Sequence, residues 1–272
     1  MTEELHIVFV FTTHPDQAGA PCHHRTAVIL PGGSFSGATS QRQCNNPKPQ
    51  TDLRHSVFWD KDFSGIDLHG TLLDNVSLRS TNLTGCNLGA SLRGADLRWS
   101  DFSKSQLIDA DFSNTNLFHT TFDGAVMDRA RMNKAYLFGA RLNYIRARNA
   151  NFTEAFMKDL NMANSDLSGS IFKDGHMLRA VMIGSNLSDA DLRNTNLTGS
   201  TLENVDFSRA NLTGASFRGV TLFETSFSGS NLDKADFQDV DLENMDESRF
   251  QEAINIPEYL QKMLSQQINP GN

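Results

Sequence analysis

The chain has 272 residues, 39% hydrophobic and 21% charged, enough for one long domain or two ordinary ones. Its formal net charge is −8, which excludes a global basic field for nucleic acid or acidic lipid, so direct binding to either is not expected. Three unevenly spaced cysteines, Cys22, Cys44 and Cys86, do not make a disulfide framework and point to a reducing, cytoplasmic setting.

Residues 1–50 lack a regular pattern and are expected to form an N-terminal cap with short strands. The runs HIVFVF (His6 to Phe11) and TAVIL (Thr26 to Leu30) read as those strands. HIVFVF is too short for a leader and follows Glu3 and Glu4 where a leader carries basic residues; no apolar run reaches membrane-spanning length. Cys22, His23, His24 and Cys44 are metal-ligating types, but no paired ligand spacing supports a metal site. GGSFSG (Gly32 to Gly37) lacks the Lys and Ser/Thr of a phosphate loop. Leu30 and Phe35 are candidates for an irregular first coil, and QRQCNNPKPQ reads as a polar loop.

From Leu53 a large apolar residue recurs every fifth position to Leu88; after one spacing of four it resumes at Leu92 and runs to Leu242, with Ala147 the exception to Leu, Phe or Met. A small residue sits two positions before each large one, Asp or Asn often lies between them, and Gly favours the position two after. A period of five fits neither a helix nor an unbroken strand, whose face would flip at every repeat. The chain therefore turns within each repeat. A short extended piece carries small and large residues inward and the polar one outward, and a corner follows where Gly or Asn tolerates positive φ. Successive corners coil the chain into a solenoid, and the six Met at large positions between Met127 and Met182 are core.

The segments ADLRW, ADFSN, SNLSD, ADLRN, TNLTG, ANLTG and ADFQD resemble the repeats of the pentapeptide repeat family. That resemblance implies an all-β, right-handed quadrilateral β-helix over residues 51–247, with four repeats and twenty residues per coil. Residues 248–272 are expected to supply a short capping helix: Asn255 and Glu258 resemble a capping box, Pro257 lies in the first turn, and Leu260, Met263, Leu264 and Ile268 form an apolar stripe. In gyrase-inhibiting relatives the C-terminal segment also dimerises, so a monomer or a dimer through this segment is implied.

No nucleophile and base can be paired, so the chain is read as a non-enzyme without cofactor or metal. Its recurring Asp residues belong to the outward position of the repeat. On one face, however, the outward positions run Asp96, Asn116, Tyr136, Phe156, His176, Asn196, so that three coils break the polar rule. Trp99, Phe118, His119 and Phe138 adjoin them; Arg131 flanks on one side and Arg141 and Tyr144 on the other. Residues 126–160 carry net charge +4 and residues 201–247 carry −7. The expected function is a protein–protein interaction scaffold or regulator that binds a protein partner through this aromatic and basic waist. A purely stabilising stack is the competing account of the same residues. The resemblance also implies an alternative, a DNA-mimicking inhibitor or protector of DNA gyrase or topoisomerase; the acidic rod favours it and the basic middle opposes it.

Overall fold

The structure is a computed structural model and describes residues 5–15, 21–31, 52–242 and 245–268. Near the N-terminus, β1 (Leu5–Pro15) and β2 (Pro21–Pro31) pair antiparallel, with His6 opposite Leu30 and Val10 opposite Thr26. HIVFVF and TAVIL fall inside these longer strands. Leu30 therefore pairs in a hairpin and belongs to no coil, because its neighbours continue an uninterrupted strand with no corner. Phe35, Cys44, GGSFSG and QRQCNNPKPQ lie outside the described residues.

From Asp52 onward the chain is a four-sided β-helix. Up to Thr221, outward residues form parallel bridges with the residue one coil on, twenty positions away in most coils, as in Asn116 with Tyr136 and Tyr136 with Phe156. Across the four-residue repeat the step is nineteen, as between Ser77 and Asp96. Gly89 sits in that tightened corner, where an added Cβ would lie 2.6 Å from His69 Nδ1.

Within a repeat, four of the five backbone N–H groups have a fixed partner. The large residue donates up one coil (Leu97 N to Asn116 O, 2.9 Å), and the outward residue donates down (Asn116 N to Ala95 O, 2.9 Å). The corner residue donates up (Trp99 N to Phe118 O, 3.0 Å), and the next small residue closes a β-turn (Ser100 N to Leu97 O, 3.1 Å). The third turn residue has positive φ, the mark of a type II turn. Gly94, Gly124 and Gly139 take it without strain, whereas Trp99 (φ 59°), His119 (52°) and Tyr144 (58°) take it at a cost of about 1 kcal/mol or more.

Outward Asp and Asn serve the fifth N–H, since their Oδ1 accepts from the residue two positions on: Asp62 from Ser64, Asn82 from Thr84, Asn196 from Thr198. Inward Ser and Thr serve the turn carbonyls, with Ser100 Oγ donating to Leu78 O and Thr120 Oγ1 to Leu97 O. Such a bond is worth about 1 kcal/mol and spares a buried carbonyl an unmet second lone pair.

The axis is filled by the large residues. Phe102 stacks on Phe122 (5.2 Å) and Phe152 on Phe172 (4.8 Å), while Met127, Met132, Met157, Met162, Met177 and Met182 are fully buried. Cys86 occupies an inward small position as a free thiol, and burial pushes it up to about 11, so it packs and does not react.

At the C-terminal end an irregular segment replaces the next coil. Arg249, Gln251 and Ile254 carbonyls accept from Phe227, Gly229 and Leu232, and a 3-10 helix (Glu247–Phe250) places Phe250 on Phe227 at 5.0 Å. Helix α1 (Glu258–Ile268) then lays Leu260 and Leu264, both buried, over the open axis, while Met263 faces outward. The capping box does not form: Asn255 has φ 57°, a left-handed corner, and its Nδ2 donates to Asn231 Oδ1 at 2.9 Å. The carbonyl of Pro257 instead accepts from Leu260 and Gln261. No helix among the described residues is long and apolar enough to cross a membrane.

Candidate functional site

Outward Asp or Asn is the local rule because it satisfies the N–H of the following turn. At some outward residues that cannot accept, a turn carboxylate one coil back does so, as Asp123 does for Asn143 N (3.0 Å) and Asp128 for Arg148 N (3.1 Å), whereas after Val126, Arg131, Ile171 and Val181 the turn N–H has no protein acceptor among the described residues. The face carrying Tyr136, Phe156 and His176 has neither device. One coil back from Phe138, Lys158 and Leu178 stand Phe118, Phe138 and Lys158, so these three N–H groups have no protein acceptor among the described residues. Each forfeits a bond worth about 1 kcal/mol and is left to solvent. The same bond is missing after Val181, Thr201 and Thr221 on a neighbouring face, so what sets this face apart is that its three successive outward side chains are aromatic.

These rings form a column. Trp99 meets Phe118 edge-on at 5.3 Å; Phe118 stacks on Phe138 (5.5 Å, 7°) and on Tyr136 (6.4 Å, 5°); Phe156 stacks on His176 (4.9 Å). His119 lies edge-on to Phe118 at 4.3 Å, with room made by Gly139, where a Cβ would come within 2.5 Å of the imidazole. Coils rise by about 4.8 Å, so rings stacked parallel from coil to coil turn their edges outward. Such edges make an apolar strip suited to aliphatic and backbone groups of a protein, and a poor platform for stacked bases or sugars. Trp99 (48%), Tyr136 (42%) and Phe156 (50%) remain substantially exposed.

The column extends beyond its predicted members. The Arg79 guanidinium lies 5.4 Å from the Trp59 ring and 5.8 Å from Trp99, Arg98 approaches Trp99 at 6.0 Å, and Lys158 Nζ sits 5.9 Å from Phe138. Trp59, Arg79, Arg98, Phe118, Phe138 and Lys158 occupy one turn position in consecutive coils. Counting that position through the nineteen-residue steps would have found them in the sequence.

The flanking residues are less alike. Arg131 pairs at 3.1 Å with Asp111, and Arg141 at 2.6 Å with Asp123. Arg129, Arg146 and Arg148 pair with Asp109, Asp128 and Asp166. Burial tends to raise the Asp111 carboxyl, but hydrogen bonds from Ser113 and Arg131 outweigh it and hold the group below the usual range. Several of these carboxylates lie outside residues 126–160, so the positive count of that window is largely neutralised by acids a coil away. Tyr144, 68% exposed, stands on the next corner and makes no ring contact with the column among the described residues. The structure thus groups Trp99, Phe118, His119, Tyr136, Phe138, Phe156 and His176, and leaves Arg131, Arg141 and Tyr144 at its margins.

Among curated proteins none matches the sequence. Solved structures that it resembles include HetL, a pentapeptide repeat protein involved in heterocyst differentiation regulation in Nostoc, at 23% identity over 70% of this chain and 89% of that one (TM-score 0.32). They also include a pentapeptide repeat protein of the Arabidopsis thaliana thylakoid lumen, at 25% identity over 34% of this chain and 69% of that one (TM-score 0.29). A third is QnrB1, a plasmid-mediated fluoroquinolone resistance protein, at 18% identity over 80% of this chain and 99% of that one (TM-score 0.30). The profile of pentapeptide repeats matches successive stretches from residue 51 to residue 246, the span in which parallel bridges from Asp52–Leu72 to Thr221–Asp241 join outward residues one coil apart. With repeat, coil and profile coinciding over most of its length, the chain belongs to the pentapeptide repeat family and adopts its right-handed quadrilateral β-helix.

Proposed function

We propose that the protein is a non-catalytic interaction scaffold that docks a partner protein on the aromatic column. One observation carries this reading: three successive coils of one face replace the outward Asx with the rings of Tyr136, Phe156 and His176 and leave Tyr136 and Phe156 about half exposed. Stacking alone accounts for part of the column, since each ring pair contributes about 0.5–1.5 kcal/mol. It does not account for the exposure of Phe156, which stacks on His176 but is tilted 44° from Tyr136 and stays half open to solvent. The test is capture of a discrete partner by wild type and by a Tyr136→Ser, Phe156→Ser variant, with β-rich folding checked in parallel. A folded variant that loses the partner supports the reading, and equal capture returns the column to a stabilising role.

A second reading, inhibition or protection of a DNA topoisomerase by DNA mimicry, draws on the acidic C-terminal coils. Glu203, Asp206 and Glu224 form no ion pair among the described residues, and residues 201–247 carry net charge −7. Against it, a duplex mimic presents free negative charge along its length, whereas the middle coils pair Asp109, Asp111, Asp123, Asp128 and Asp166 with arginines. Unchanged gyrase supercoiling at micromolar protein is the expected result, and strong inhibition would favour the second reading.

A further inference from the structure

The aromatic column is bordered by a corner whose positive-φ residues stack as Lys134, Glu154, Asp174 and Asn194. Together with Phe156 and His176 these residues line a recess. Two features distinguish this place from the rest of the column.

The first is ring orientation. Phe118, Tyr136 and Phe138 lie within 12° of parallel and turn edges outward, whereas Phe156 leaves that alignment by 44°. Half of its surface is exposed and His176 stacks against it at 4.9 Å, so a tilted, half-exposed ring beside a second ring lines the recess. The second is charge. Glu154 is exposed and Asp174 partly so, and each has a lysine only at long range, Lys134 Nζ 3.5 Å from Glu154 and Lys173 Nζ 3.8 Å from Asp174, so both keep oxygen lone pairs open to a stronger donor. Asn194 Nδ2 donates to Asp174 Oδ1 at 2.9 Å and Lys173 Nζ lies 3.8 Å from Oδ2, which orients the carboxylate and leaves it open to further donors. A π-face beside carboxylates favours a flat cation. It disfavours an anion by repulsion and an aliphatic anchor by the cost of desolvating the acids.

We propose that this recess receives the guanidinium of an arginine on the partner protein, which forks its N–H groups to Asp174 and Glu154 while its plane rests on Phe156. The inference rests on the reading of the column as a docking surface and names the chemistry at one end of it. Arginine fits better than lysine because its planar, weakly hydrated head stacks and donates in pairs, whereas a compact ammonium in so open a site keeps its water.

The test titrates three short capped peptides, Gly-Arg-Gly, Gly-citrulline-Gly and Gly-Lys-Gly, into isotopically labelled full-length protein and follows the ring signals of Phe156 and His176 by NMR. The Arg peptide is expected to shift both signals saturably, with the neutral citrulline peptide weaker by about tenfold or more and the Lys peptide intermediate. Glu154→Gln with Asp174→Asn is expected to abolish the shifts while the backbone spectrum and the Trp99 signals stay in place. Equal binding of Arg and citrulline, no shift at Phe156, or shifts retained in the double variant would each overturn the proposal, and the peptide comparison needs no variant to fold. If Arg fails here while Tyr136→Ser, Phe156→Ser still loses its partner, the arginine recess falls alone and the docking surface stands.

Discussion

Phe118 and Phe138, one coil apart, stack with ring centroids 5.5 Å apart and planes 7° from parallel, although neither belongs to the buried axis. Their outer stack repeats in miniature what Phe152 and Phe172 do inside. Their contact is expected to contribute to stability beyond the area each ring covers. A double-mutant cycle of Phe118→Ala and Phe138→Ala, measured by urea unfolding, should give a coupling of about 0.5–1.5 kcal/mol. A coupling near zero would mean that the rings are neighbours without being partners, and would assign more of their role to an external contact.

One hydroxyl also helps close the C-terminal end. Tyr259 Oη accepts from Phe237 N at 2.6 Å, standing where a following coil would have offered a carbonyl. Tyr259→Phe leaves the ring and removes the acceptor. It should cost about 1 kcal/mol and speed hydrogen exchange at the Phe237 amide, with little change at Leu197. Unchanged exchange at Phe237 would contradict this role for the hydroxyl.

Acid should weaken the rod within a definable window. The Asp109 and Asp189 carboxyls are held below their ordinary 3.8 chiefly by hydrogen bonds from Arg129 and Arg209 one coil on. Groups depressed in the folded state bind fewer protons there than when unfolded, so their stabilisation is present above 3.8 and is lost as pH falls through the folded values. Thermal midpoints should be nearly flat from neutrality to about pH 5 and fall below about pH 4. Arg129→Gln with Arg209→Gln should shrink that fall. A midpoint that drops between pH 7 and 5 would require a different group.

The core was legible in the sequence because burial at the axis selects Leu, Phe and Met directly, and even Ala147 is fully buried in phase with them. Corners were legible where Gly marked them and hidden where Trp99, Lys104, Tyr144 or Arg179 takes the same positive φ. Inward Ser and Thr read only as small; that Thr195 Oγ1 donates to Phe172 O depends on a contact 23 residues away. The column was found through its outward members Tyr136 and Phe156, while Trp59 and Arg79 were missed because the nineteen-residue step shifts their position by one. Ion pairs such as Arg129 with Asp109 join residues a coil apart, so a count along a window reported a basic waist that the folded surface largely neutralises. Asn255 suggested a helix cap by spacing alone, and the corner geometry at the end of the last coil overrode it.

The most direct test of the docking account places a photo-crosslinking benzoylphenylalanine at Tyr136, which preserves an aromatic ring there, and at Asn186 on the opposite face. Irradiation in cells is expected to give a discrete adduct with another protein from position 136 and none from position 186. No adduct at 136, or the same adducts from both faces, would contradict the claim that the aromatic column is where this protein meets its partner.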